Sequence, residues 1–223
     1  KAFSNFKPPL QKALAYVSRG GLKLEKALRE FNVSAKGKVA IDAGASTGGF
    51  TDCLLQNGAR KVFAIDVGYG QLDYRLRIDD KVVVLERKNV RYIQPEDIGE
   101  TADIITADLS FISLSKVFKP LYNLLKEDGD FIALIKPQFE AGRKDVGKKG
   151  VIKDPKIHFE TISKVLIDAK EHGFYPWDLT YSPITGPKGN IEYLTRFRKN
   201  LSLGVAIDIK QVVQEAHGEL ASS

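Results

Sequence analysis

Short apolar runs alternate with segments of helical periodicity along most of the chain. The apolar runs lie at 39–41, 61–66, 82–85, 102–108 and 131–136. Apolar side chains recur every three or four positions in three other segments, which predicts helices at 21–32, 114–126 and 156–172. Continuous apolar strands separated by helices predict a parallel sheet that is covered on both faces.

The last two predicted strands, near 174–182 and 191–198, pair differently. The connection at 184–190 is too short for a parallel crossover, so these strands form a hairpin. The segment 142–150 is rich in glycine and basic residues, and it is interpreted as a solvated loop or as a lid that touches an anionic substrate. The chain is therefore predicted to be an α/β protein, with a seven-stranded, mostly parallel sheet and a C-terminal antiparallel hairpin.

Composition restricts the class of protein without identifying it. No apolar run approaches the roughly 20 residues that span a bilayer, and the first residues lack the apolar segment of a signal peptide, so a cytoplasmic location is expected. The single cysteine excludes an intrachain disulfide and a cysteine-based zinc cluster. A net charge of +6 favours a polyanionic partner such as nucleic acid, although ordinary surface charge explains it equally well.

Charged side chains mark the ends of the predicted strands. Asp42, Asp66, Asp108 and Lys136 lie at carboxyl ends, and Glu192 lies at the beginning of the final, antiparallel strand. Ligands of open α/β sheets bind beyond the carboxyl ends of the strands, and the beginning of an antiparallel strand reaches the same edge. These five side chains are therefore expected to converge.

The turn after the first strand has the pattern Asp42-x-Gly44-x-x-x-Gly48-Gly49. Its glycines allow the backbone to approach a ligand closely, but their spacing differs from the G-x-G-x-x-G of dinucleotide-binding turns. An acid two residues before the first glycine suits a ligand with a cationic amino-acid end and no phosphate, and S-adenosylmethionine (SAM) is such a ligand. Asp66 can accept hydrogen bonds from both ribose hydroxyls of SAM, but it would serve an NAD ribose equally well, and a capping acid is the other interpretation.

The segment Asp108-Leu109-Ser110-Phe111 is a candidate acceptor site for a methyl group. Methylases of exocyclic amines carry Asp/Asn-Pro-Pro-Tyr/Phe at this place, and this chain lacks the prolines. Cys53 lies inside a predicted helix away from the sheet edge, so it is interpreted as a core residue and not as the nucleophile of a carbon-5 methylase. A hydroxyl acceptor remains.

Lys136 ends an apolar strand, where an unpaired ammonium would be costly to bury. Asp108 and Glu192 are its candidate partners. A lysine with a lowered pKa could take the proton of a hydroxyl, or an ammonium could orient and polarise that hydroxyl. A structural ion pair at a strand end is the alternative interpretation.

Five segments of the chain carry a pattern that is specific in combination. They are YVSRGGLKL at 16–24, DAGASTGGF at 42–50, ADLSFISL at 107–114, IKPQFEAG at 135–142 and GNIEY at 189–193. In this order they resemble the TlyA family, a hemolysin-labelled group of FtsJ-like RNA methyltransferases, over residues 16–198. The resemblance implies a Rossmann-like methyltransferase fold and SAM-dependent 2′-O-methylation of ribosomal RNA, with cytidine as the target and no metal.

The resemblance also implies roles for particular residues. FtsJ-like enzymes use a Lys-Asp-Lys-Glu tetrad, which falls by motif match on Lys23, Asp108, Lys136 and Glu192. Lys23 comes from the resemblance alone, because its position in the first helix otherwise looks like an ordinary polar one. The expected cofactor contacts are Asp42, Gly44, Ser46, Thr47, Gly48, Gly49, Phe50, Asp66, Asn89 and Asp108.

Members of the family carry an N-terminal RNA-binding domain of the S4 type. Residues 1–17 are interpreted as a linker or remnant of that domain, 18–200 as the methyltransferase domain and 201–223 as a tail. The expected partner is ribosomal RNA or a ribosomal subunit, without stable membrane association. Two other functions stay open, a non-catalytic RNA-binding or ribosome-assembly factor and a membrane-active hemolysin, for which the amphipathic stretch 205–216 is the candidate segment.

Overall fold

The computed structural model describes residues 15–202, 204 and 206–220. Within this part of the chain, seven strands form one sheet, and they are β1 (Val39–Ala43), β2 (Lys61–Ile65), β3 (Val82–Leu85), β4 (Ala102–Ala107), β5 (Leu125–Ile135), β6 (Tyr175–Tyr181) and β7 (Tyr193–Arg198). Their order across the sheet is β3-β2-β1-β4-β5-β7-β6. Strands β1 to β5 pair in parallel, and β7 pairs antiparallel with both β5 and β6. The predicted seven-stranded sheet with its C-terminal hairpin is confirmed.

Eight α-helices and three short 3₁₀ turns connect these strands in the described residues. The helices are α1 (Gly20–Glu30), α2 (Gly49–Gln56), α3 (Tyr74–Arg77), α4 (Pro95–Ile98), α5 (Phe118–Leu124), α6 (Pro137–Glu140), α7 (Pro155–Glu171) and α8 (Ile209–Leu220), and the 3₁₀ turns are Val90–Tyr92, Leu114–Lys116 and Pro187–Gly189. The helix predicted at 114–126 is instead a 3₁₀ turn, then α5, and then the beginning of β5. Pro120 favours this division, because proline is best accommodated in the first turn of a helix.

Apolar side chains cover both faces of the sheet. On one face, four phenylalanines from α5, β5, β7 and the segment before β6 pack ring against ring, and they are Phe118, Phe131, Phe174 and Phe197. On the other face, α1 and α2 bury residues such as Leu24 and Leu54. The central strands are mostly apolar because both of their faces are covered.

Helix α1 buries more than its predicted apolar stripe. Lys23 and Lys26, which the pattern predicts to be polar surface positions, are 7% and 9% exposed. The Lys26 ammonium donates to the carbonyl oxygen of Tyr181 at 2.8 Å and lies 3.5 Å from the centre of the Tyr181 ring. A long aliphatic stem allows a lysine to cross apolar surface and reach a polar partner.

The C-terminal helix α8 packs against the sheet domain. Val213 and Ala216 are buried, and their helix contacts α7 and β6. In the described part of the stretch 205–216, which begins at 206, the apolar face is largely covered. None of the helices in the described ranges is long and apolar enough to cross a membrane. Most of the interpreted linker at 1–17 lies outside the described residues.

The aromatic cluster makes a large contribution to stability. We expect Phe131→Ala to lower the free energy of unfolding by about 3–5 kcal/mol, because it removes a fully buried ring between three others. Chemical denaturation measures this. The control is Ile167→Ala, which truncates a residue that is 57% exposed and should change stability by less than about 0.5 kcal/mol. Equal effects of the two substitutions would contradict the position of the core.

Candidate active site

The turn between β1 and α2 lies against two neighbouring segments. Gly44 has a φ of +83°, and a β-carbon there would lie 2.5 Å from the carbonyl oxygen of Asp108. A β-carbon on Gly49 would lie 2.8 Å from the backbone nitrogen of Gly21, at the beginning of α1. Glycine at these two positions therefore allows the turn to sit between the end of β4 and the first turn of α1, which carries Lys23.

Asp42 lies beneath this turn. Its carboxylate is fully buried and accepts hydrogen bonds from the hydroxyls of Thr51 at 2.8 Å and Thr106 at 3.2 Å. Burial raises the pKa of Asp42 to about 7, against the opposing effect of the two threonine hydroxyls. Asp42 lines neither of the cavities described below. The structure thus places it as a support under the turn, and its predicted contact with a cofactor stays a prediction.

Two cavities meet above the turn. One has a volume of about 380 Å³ and is lined by residues that include Asp66, Asn89 and Phe111. The other has a volume of about 600 Å³ and lies between the turn, Lys23, Lys136 and the 184–189 connection of the hairpin. The lining residues that the two cavities share are Gly44, Ser46, Asp108 and Ser110. The cavities therefore form one groove across the carboxyl edge of the sheet, at the point between β1 and β4 where the strand order reverses.

Asp66 ties the turn to the end of β2. Its carboxylate accepts hydrogen bonds from the backbone N–H groups of Ser46 and Gly68, each at 2.8 Å. The side chain remains partly exposed and lines the smaller cavity beside Asn89. It can therefore accept further hydrogen bonds from a ligand, since a carboxylate has about four acceptor sites.

The predicted tetrad forms two ion pairs. The Lys136 ammonium lies 2.6 Å from Asp108 and donates to the hydroxyl of Ser110 at 3.1 Å. The Lys23 ammonium lies 2.5 Å from Glu192, and both of these side chains are almost completely buried. The register of β5 and β7 explains why the second ion pair lies next to the first. Ile135 faces Tyr193, so the adjoining residues Lys136 and Glu192 lie side by side. The structure thus brings Asp108, Lys136 and Glu192 together at the sheet edge, with Asp66 in the same groove, whereas Asp42 lies beneath the turn.

An exposed aromatic side chain stands at the rim of the smaller cavity. Phe111 is 89% exposed, has a φ of +64°, and its ring centre lies 4.9 Å from that of Phe139. A positive φ is uncommon for a residue other than glycine and is often found at functional sites. The sequence places Phe111 in the candidate acceptor segment 108–111, but it does not show that the ring is exposed.

The remaining predicted contacts divide into those that line the groove and those that do not. Thr47, Gly49 and Phe50 line the larger cavity. Gly48 closes the turn, where its N–H donates to the carbonyl of Ala45 at 2.8 Å. Cys53 is buried in α2, as predicted, and burial raises its pKa to about 12. In the described ranges, no group of three or more His, Cys, Asp or Glu side chains is placed to hold a metal ion.

Comparison with known proteins identifies the family. The family model of the FtsJ-like methyltransferases matches residues 16–199. The chain belongs to this family. The Rossmann-like methyltransferase fold and the resemblance expected from the five motifs are thereby confirmed.

Three relatives extend this result. YqxC of Bacillus subtilis is 50% identical over 214 residues, which are 93% of this chain and 76% of YqxC. The 16S/23S rRNA (cytidine-2′-O)-methyltransferase TlyA of Mycobacterium tuberculosis is 48% identical over 184 residues, which are 82% of this chain and 69% of TlyA. The structure of a hemolysin-labelled protein of Streptococcus thermophilus has a TM-score of 0.90 and 45% identity, covering 94% of this chain and 77% of that one.

Asp42 should make the stability of this FtsJ-like domain depend on pH. Its pKa is raised from 3.8 to about 7 in the folded state, so the native state binds a proton that the unfolded state releases. Stability is therefore lost as the pH rises from about 4 to about 7. Between these two pH values, we expect the free energy of unfolding of the wild type to fall by on the order of 4 kcal/mol relative to that of Asp42→Asn, whose amide cannot titrate.

Urea denaturation of both proteins from pH 4 to pH 8 measures this difference. The control is Asp128→Asn, which changes an exposed acid on β5 and should follow the wild type at every pH. Parallel curves for the wild type and Asp42→Asn would show that the buried carboxylate does not have the raised pKa.

Proposed function

We propose that this protein transfers the methyl group of SAM to the 2′-hydroxyl of a cytidine in ribosomal RNA. The observation that carries the proposal is the pair of buried lysine–carboxylate contacts beside the glycine turn. The name of the Mycobacterium tuberculosis relative, a 16S/23S rRNA (cytidine-2′-O)-methyltransferase, supports the choice of nucleotide and of RNA.

The groove has the features that SAM requires. Its smaller part would hold the adenosine, with Asp66 accepting from the ribose hydroxyls and Asn89 near the base. Its larger part would hold the methionine end above the turn, which Gly44 and Gly49 allow to pack closely against Asp108 and α1. When bound, SAM supplies an electrophilic methyl group, and the shared wall of the two cavities is where Asp108 lies.

The charges on the far side of the groove suit a hydroxyl acceptor. As the ribose oxygen bonds to the methyl carbon, the methyl–sulfur bond of SAM would break, S-adenosylhomocysteine would leave and the hydroxyl proton would pass to water. A positive charge beside the oxygen stabilises the negative charge that develops on it. Asp108 and Ser110 hold the Lys136 ammonium in one place at the wall of the larger cavity. The pair Lys23–Glu192 adds a second fixed charge pair at that cavity. Most of the rate enhancement would come from this fixed arrangement.

Several features outside the tetrad suit RNA. The exposed Phe111 offers a ring on which an unpaired base can stack. The loop at 142–150 carries four exposed cations, which are Arg143, Lys144, Lys148 and Lys149. Asn190 holds the end of this loop, since its side chain bonds to the backbone of Gly150 at 3.0 Å and of Ile152 at 3.2 Å. The loop is thus attached two residues from Glu192, where basic side chains can meet the phosphates that flank the target ribose.

Lys136 tests the proposed chemistry. We expect Lys136→Met to reduce methyl transfer by at least about 100-fold, because the positive charge beside the hydroxyl is lost while the stem is kept. Transfer of a tritiated methyl group to ribosomal subunits measures this, and calorimetry should find the affinity for SAM retained. Lys170→Met, which changes an exposed lysine on α7, is the control. Turnover within tenfold of the wild type would refute the assignment, and a non-catalytic RNA-binding protein would show no transfer in any variant.

Asp66 tests the placement of the cofactor. We expect Asp66→Asn to weaken SAM binding by about 10- to 100-fold, because a charged acceptor for the ribose hydroxyls is replaced by a neutral amide. Titration calorimetry measures the affinity. Asp80→Asn changes an exposed acid outside the groove and should bind SAM like the wild type. An unchanged affinity in Asp66→Asn would place the adenosine elsewhere.

A further inference from the structure

Gln138 lies between the two ion pairs of the groove. It is the second residue of α6, a helix that directly follows Lys136. Its side-chain Nε2 donates to one carboxylate oxygen of Glu192 at 3.2 Å, and the other oxygen accepts from Lys23 at 2.5 Å. One neutral side chain thus connects the segment that carries Lys136 to the second ion pair.

The orientation of the Gln138 amide is determined by Glu192. An ionised carboxylate can only accept hydrogen bonds, so the amide must turn its Nε2 toward Glu192. The Oε1 atom of Gln138 is then buried without a hydrogen-bond partner among the described residues. Such atoms are rare in folded proteins, and each needs an explanation. Here the explanation is that the amide is oriented to donate from Nε2 to Glu192, and this orientation leaves Oε1 without a donor.

Glu192 needs this donor. Its side chain is completely buried, so the protein must supply the hydrogen bonds that water would otherwise make. Lys23 and Gln138 provide one donor to each of its two oxygens. Without Gln138, one oxygen of Glu192 would lose its hydrogen-bond donor, and the carboxylate could rotate away from Lys23. The Lys23 ammonium would then no longer be held at the wall of the larger cavity.

We propose that Gln138 is a positioning residue for methyl transfer, which sets the place of the Lys23–Glu192 pair relative to Lys136. The inference rests on the proposed function, because it assigns a role to Gln138 in that same site. Gln138 lines neither cavity, so it acts through Glu192 and not by touching SAM or RNA. Its loss should therefore affect the rate of transfer more than the binding of either substrate.

Two substitutions separate a hydrogen-bonding role from a packing role. Gln138→Met keeps the length of the side chain but cannot donate, and we expect its kcat to fall about 10- to 100-fold, as for other small displacements of a catalytic group. Gln138→Glu keeps the shape but cannot donate when ionised and places a like charge against Glu192. Its kcat at pH 8 should be lower than that of Gln138→Met. A packing role predicts instead that Gln138→Met, which fills a similar volume, turns over like the wild type.

The assay is transfer of a tritiated methyl group from SAM to ribosomal subunits, with kcat and KM determined separately. In Gln138→Met, the KM for the subunits and the calorimetric affinity for SAM should stay within about threefold of the wild type. The substitution leaves the contacts that bind both substrates in the ground state unchanged. The control is Gln211→Met, which removes a similar amide-to-glutamate bond, to Glu215 at 3.0 Å, on the exposed side of α8. It should turn over like the wild type.

The outcomes are distinct. A wild-type kcat in Gln138→Met, or a loss in Gln138→Met that lies only in KM, overturns the positioning role. If Gln138→Met does not fold, Gln138→Asn takes its place. It keeps the amide but is too short to reach Glu192, so its kcat should fall, and a wild-type kcat overturns the positioning role. An absence of transfer by the wild type is a failure of the proposed function and is thereby distinguished from a failure of this inference.

Discussion

Two lysines at one edge of the sheet are each only 7% exposed, and each faces a carboxylate at hydrogen-bond distance. Either ammonium would be costly to bury without its partner. The pair Lys136–Asp108 joins the ends of β5 and β4, and the pair Lys23–Glu192 joins α1 to the beginning of β7. The need to pair these charges therefore defines the relative positions of four segments that are distant in the sequence. Buried ion pairs are rarely more stabilising than apolar contacts of the same size, so their presence here is better explained by chemistry than by stability.

The other side of the groove is formed by the glycine turn after β1, and its shape is determined by the backbone and not by ion pairs. The turn after β1 can lie between Asp108 and α1 because its glycines have no side chains to collide with them. Beneath it, Asp42 and two threonine hydroxyls form a small buried polar network. Above it, Asp66 holds the turn through the N–H of Ser46. A ligand in the groove would thus contact a surface whose shape is already determined, and this preorganisation is what a transfer reaction between two bound substrates needs.

Much of this arrangement could be predicted from the sequence, since it follows from local pattern and topology. Apolar runs give the strands, and the short connection before β7 makes that strand antiparallel. Together these bring Asp108, Lys136 and Glu192 to one edge. The burial of Lys23 could not be predicted in this way. The sequence of a helix does not show whether a lysine ammonium is solvated or pairs with a carboxylate 169 positions away. The family resemblance supplied that residue.

Other features depend on side-chain geometry that no periodicity encodes. Asp42 is one residue in a strand whose five positions are all buried, and only the packing of Thr51 and Thr106 around it shows that it lies under the turn. Gln138 and Phe111 belong to recognisable motifs, but their orientations arise from tertiary contacts. Identification of the modified nucleoside tests the proposed methyl transfer most directly. After reaction of ribosomal RNA with this protein and SAM, digestion and mass spectrometry should detect 2′-O-methylcytidine. Methylation on a base, or none, would contradict the account.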